Sequence, residues 1–150
     1  GRFLEALDKE RLAIAEALGG LEVKTIFEHF SWSFHVPITD SISDMNQEIH
    51  KIGNDVYGPD TADSRYITED VPFGLSLTIL LGELVGRPAT LHMAGMEIMS
   101  AMYRRDFMEE NDLLDALDLE KFTLEELKGA ARSGLLRTNR SLIVDKSILA

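Results

Sequence analysis

Apolar side chains at Phe3, Leu4, Leu7, Leu12, Ile14, Ala15 and Leu18 recur at roughly helical spacing, with Gly19-Gly20 behind them as a stop. The pattern predicts a helix over Arg2 to Leu18. A shorter helical run, about Val23 to Ser33, leads into His35-Val36-Pro37, where the proline biases the chain toward an extended turn. Thr39 or Asp40 is then placed to cap a helix reaching about Lys51. Gly53, Asn54, Asp55, Gly58, Pro59, Asp60 and Asp63 mark a loop that delivers the chain to Arg65.

From Pro72 to Val85 the helical pattern is apolar on nearly every side, and Gly86 ends it. Such a helix belongs at the centre of a bundle or in a subunit interface. Arg87-Pro88 separates it from another helix at about Ala89 to Phe107. Asn111 or Asp112 caps a short helix through Leu119, and Thr123-Leu124-Glu125-Glu126 is a capping-box pattern that starts a helix to about Ser133. Ser141 to Leu149 fits either helix or strand. No period-2 alternation persists and no internal repeat is present, so the predicted fold class is all-α.

At 150 residues the chain suits one domain with a single core. Its 26 acidic and 15 basic residues give a net charge of −11, with no Lys/Arg run to follow a phosphate backbone. Nucleic acid is therefore not an expected partner. The absence of cysteine excludes a disulfide framework, a thiolate nucleophile and a zinc ribbon, and fits a reducing, cytoplasmic setting. Glu83, Arg87, Pro88, His92 and Glu97 interrupt the most apolar stretch, Val71 to Met102, so no run of about 20 apolar residues is left for a bilayer. A soluble chain with no membrane partner is expected. The amino end carries no signal-peptide pattern and opens at Gly1-Arg2-Phe3 already inside an amphipathic pattern, which predicts a piece of something longer.

Candidate chemistry concentrates in RYITEDVPFGL, residues 65–75. As a plain helix start, Asp70 would cap the next turn, Glu69 would complement the helix dipole, and Pro72 would sit where its missing N–H costs nothing. That reading leaves Arg65 unexplained in the preceding loop, with a planar fork of donors suited to a carboxylate ligand. His29, His35, His50 and His92 are not spaced as ligand pairs on a helix face, so packing or exposure is expected of them, and no metal. Met93, Met96, Met99 and Met102 recur every three residues as core filler or subunit contact. The acidic patches 108–112 and 115–120 read as solvated faces. There is no G-x-G-x-x-G after a strand, no P-loop, no H-E-x-x-H and no G-x-S-x-G, so this chain alone does not bind a dinucleotide in the usual way.

The stretch Arg65 to Leu75 resembles one in the C-terminal domain of the octopine (opine) dehydrogenase family. Leu7 to Ala15 is similar to that family's D-x-E-R helix, Leu81 to Pro88 to its L-G-x-x-x-G-x-P turn, and Leu114 to Leu127 to its closing segment. The resemblance implies that residues 1–150 form a substrate-binding and dimerisation domain. Its fold would be a helical bundle like the C-terminal part of 6-phosphogluconate dehydrogenase. It further implies a two-domain enzyme that condenses an amino acid with a 2-keto acid such as pyruvate and reduces the imine with NAD(P)H. NAD or NADP would be held by a Rossmann domain outside this chain, and a homodimer is expected.

By the same resemblance Asp70 is catalytic, orienting and charge-stabilising a histidine, and Arg65 binds a substrate carboxylate. Trp32 would line an amino-acid side-chain pocket. The family's histidine lies in an H-P motif upstream of the D-x-E-R helix, where this sequence has no residues, and neither His29 nor His35 takes its place. Alternatives are a non-catalytic helical dimerisation or ligand-binding module, or the helical domain of another NAD(P)-dependent dehydrogenase.

Overall fold

The structure is a computed structural model that describes residues 1–20, 22–54 and 57–134. The ambiguous segment Ser141 to Leu149 lies outside them. The chain divides into two compact units, Gly1–Leu117 and Asp118–Ala150. All regular structure among the described residues is helical. No helix among them is long and apolar enough to cross a membrane.

The first unit is organised around α1, Arg2–Ala17, which packs against α3 (Ile42–Lys51), α5 (Ser76–Leu84) and α6 (Thr90–Tyr103). Three acids on α1 reach the amino ends of three other helices. Glu5 Oε1 accepts from the Ile42 amide at 2.9 Å, at the head of α3. Asp8 Oδ2 accepts from the Ile26 amide at 2.9 Å, at the head of α2, Ile26–Phe34. Glu10 takes the head of α6. Each carboxylate meets orphan amides at the positive end of a helix dipole, so the acidity of α1 holds the bundle together.

Two apolar clusters sit around this hub. Ile14, Val71, Ile79, Ala89, Met96 and Phe107 form one, and Val36, Ile42, Met45 and Ile49 on the α2–α3 side form the other. The turn after α5 has a steric cause. A Cβ on buried Gly82 would lie 2.6 Å from the Arg87 carbonyl oxygen and 3.1 Å from Ile14 Cδ1, and Gly86 has φ +66°. Only glycine allows both the close approach and the left-handed stop.

Several boundaries differ from the sequence pattern. α2 begins at Ile26 behind a Thr25–Glu28 capping box, and α3 is capped by Ser41 rather than Thr39 or Asp40. α6 stops at Tyr103 with Arg104 left-handed, so Phe107 turns back into the core instead of extending the helix. α7 covers Asp112–Leu117. In the second unit, a short 3₁₀ turn, Leu119–Lys121, precedes α8, Leu124–Ser133, with the expected Thr123–Glu126 box.

Candidate functional site

The stretch 65–75 is not a loop followed by a helix start. Helix begins at Arg65 itself: α4, Arg65–Thr68, runs into a π-helical segment, Asp70–Leu75, which runs into α5. Two expectations change as a result. Arg65 is the first helical residue, and Asp70 is the first residue of the π segment rather than its cap, behind a Glu69 that is itself helical and gives no side-chain cap. Pro72 lies buried in the middle of this segment rather than at its start.

The exposure pattern defines a face. Arg65, Tyr66, Glu69, Asp70, Phe73 and Gly74 are exposed, while Ile67, Thr68, Val71, Pro72, Leu75 and Ser76 are buried or half-buried. The exposed pairs recur every four residues. Positions spaced i, i+1, i+4 and i+5 line one broad face of a helix, so this pattern is a single exposed side. Arg65 and Asp70 both lie on this solvent-facing side, and the π segment that begins at Asp70 joins them to α5.

On that face the Arg65 side chain is 79% exposed, and its Nη2 lies 3.1 Å from Glu69 Oε2. Asp70 is exposed. Trp32 is elsewhere, 70% exposed on α2, the helix that packs against α3. Arg65 and Asp70 therefore share a surface, and Trp32 stands on a different element.

Beneath the face lies a buried polar group that the sequence pattern did not single out as functional. Asn111, 3% exposed, donates from Nδ2 to the Pro72 carbonyl at 2.9 Å and to Ser76 Oγ at 2.7 Å. Its Oδ1 accepts from the Leu114 amide at 3.0 Å, so it also starts α7 as expected. Ser76, fully buried, donates its hydroxyl to the same Pro72 carbonyl.

A second polar centre joins α1 to α6. Glu10 Oε1 accepts from the Leu91 amide at 2.8 Å and the Thr90 hydroxyl at 2.9 Å. Its Oε2 accepts from the His92 amide at 3.2 Å and lies 2.8 Å from His92 Nδ1. An ionised carboxylate can only accept, so Nδ1 carries the proton. Burial pushes the Glu10 carboxyl up. The bonds from the His92 ring, the Leu91 amide, the Thr90 hydroxyl and the His92 amide outweigh it and hold the group below the ordinary glutamate value. Glu10 and His92 were legible as a motif member and a packed histidine, but their pairing spans 82 positions and leaves no local signal.

Elsewhere, Asp8 and Arg11 line a surface hollow of about 400 Å³ with Lys24, Ile26 and His29. Arg11 Nη2 bonds both Asp8 Oδ1 and the Lys24 carbonyl, each at 2.6 Å, so these two charges are committed to anchoring α2. Among the described residues, no three His, Asp or Glu side chains gather to hold a metal ion.

Residues 1–103 match the family model described as NAD/NADP octopine/nopaline dehydrogenase, alpha-helical domain. The chain is similar to an opine dehydrogenase of Arthrobacter sp. (strain 1C), with 31% identity over 134 residues, 87% of this chain and 35% of that protein. It thus spans about a third of that relative's length. No solved structure matches it.

Proposed function

The chain belongs to the NAD/NADP octopine/nopaline dehydrogenase family, as its α-helical domain, and on that premise we propose that it is the substrate-holding part of an opine-dehydrogenase-type oxidoreductase. The whole enzyme condenses an amino acid with a 2-keto acid such as pyruvate and reduces the imine with NADH or NADPH. The observation that carries this reading is the state of Arg65. Its guanidinium stands 79% exposed on a helical face supported from beneath and is held by one exposed carboxylate. Such a surface pair is worth about 0.5 kcal/mol, so a substrate carboxylate can replace Glu69 at little cost. A planar fork then fixes the substrate's orientation as well as its charge.

Asp70 has the complementary role. An exposed carboxylate five positions from Arg65 is available to a histidine from the rest of the enzyme, fixing its tautomer and stabilising its protonated form. Trp32 offers a largely exposed indole as a wall for the amino-acid side chain. The described residues give a dinucleotide no strand-borne glycine turn, so NAD(P) is assigned to the enzyme's other domain. This chain's own share is to bind and orient. Exposed Phe73, Leu77, Ile98 and Met102 support a homodimer contact along the π segment, α5 and α6. A cytoplasmic setting accords with the cysteine-free composition.

The test follows the absorbance of reduced nicotinamide with the full-length protein. Oxidation is expected only when an amino acid and a 2-keto acid are both present. Oxidation with the keto acid alone would mark a simple keto-acid reductase. No oxidation with any pair would leave a non-catalytic helical module.

A further inference from the structure

We infer that Asn111 is a positioning residue for the substrate carboxylate, acting through the π segment and not by contact; this rests on the reading of Arg65 given above. Inside the π segment, the Pro72 carbonyl accepts from the Ser76 hydroxyl and from Asn111 Nδ2, the latter at 2.9 Å. Asn111 also donates to Ser76 Oγ at 2.7 Å, so one buried amide clamps both ends of a single turn. Its remaining oxygen is satisfied by Leu114, which fixes the orientation of the amide.

The clamp matters because of helix geometry. Returning the π segment to α-helical pairing would remove one residue of slack and rotate everything before it by about 100° relative to α5. Arg65 and Asp70 would leave the shared exposed face. Turns of i→i+5 type are rare, and they occur frequently at functional sites. Asn111 lies beyond residues 1–103, the part that matches the family's helical domain, and 46 positions after Arg65, counting 111 − 65.

Asn111→Ala, Ser76→Ala and Arg65→Lys are made in the full-length protein, and KM is measured for the 2-keto acid and for the nicotinamide cofactor, well below each variant's Tm. Asn111→Ala is expected to raise the keto-acid KM roughly 10-fold with the cofactor KM unchanged, since small misplacements of a binding group are costly. Added to Arg65→Lys it should raise that KM by much less, because both changes act on one guanidinium. A merely structural role would lower Tm and leave the KM pattern alone. If Asn111→Ala does not fold, Ser76→Ala decides, with roughly a 3-fold rise in the same KM expected from losing one bond of the clamp. A responsive Arg65→Lys beside silent Asn111 and Ser76 variants overturns this inference alone. A silent Arg65→Lys overturns the Arg65 reading and this inference with it.

Discussion

Asp70→Asn in the full-length protein is expected to lower kcat about 1,000-fold while leaving KM for the keto acid within about 3-fold. The amide has the shape of the carboxylate but presents an NH₂ group where the imidazole N–H must donate. It therefore favours the wrong tautomer and stabilises no positive charge. Substrate binding is expected to be spared, because the residue proposed to carry it is Arg65, five positions away. Asp70 is exposed and is not the cap of its segment, so stability should change by less than about 0.5 kcal/mol. A loss of rate at constant Tm separates this outcome from misfolding. An unchanged kcat would remove Asp70 from the chemistry.

Glu10→Ala is expected to cost about 3 kcal/mol of stability at neutral pH. The side chain is 16% exposed and serves two amides, a hydroxyl and the His92 ring, itself 9% exposed. Truncation leaves these donors at the head of α6 with no acceptor. The pH dependence has a definite sign. The carboxyl's folded-state pKa lies below its ordinary value, so the ionised form is the one that folding favours. Its contribution is fully present above the ordinary glutamate range and is lost as pH falls through that range and below it. Glu10→Gln keeps the shape, gives up the charge and should flatten this acid limb. Denaturation midpoints of the wild type, Glu10→Ala and Glu10→Gln near neutral pH and near pH 4 measure both effects.

The two centres differ in how far the sequence revealed them. Thr123 and Glu126 announced α8 three positions apart, and the structure has that helix and that capping box. The all-α architecture was legible in the same way, since periodic apolar positions and caps are local signals. The π segment was not, because an apolar run covered on most sides has no face whose drift could betray an extra residue. Pro72 compounded this, reading naturally as a first-turn proline when it lies in the buried middle of the segment. Glu10 and Arg11 were visible only as members of a family-like motif. Their partners, His92 and the Lys24 carbonyl, become apparent once α1 is seen holding the amino ends of its neighbours. Arg65 and Asp70 stood out as unusual residues, and the fold adds that both face solvent on one side of a supported helix.

Arg65 is proposed above to hold a substrate carboxylate. The most direct measurement of that role is kcat/KM for a 2-keto acid and for its methyl ester, in the wild type and in Arg65→Ala. Two charge-assisted hydrogen bonds are worth about 3 kcal/mol, so the wild type should prefer the free acid by on the order of 100-fold. In Arg65→Ala that preference should fall close to unity, with the ester's own rate little changed. A variant that still prefers the acid as strongly as the wild type would contradict the account.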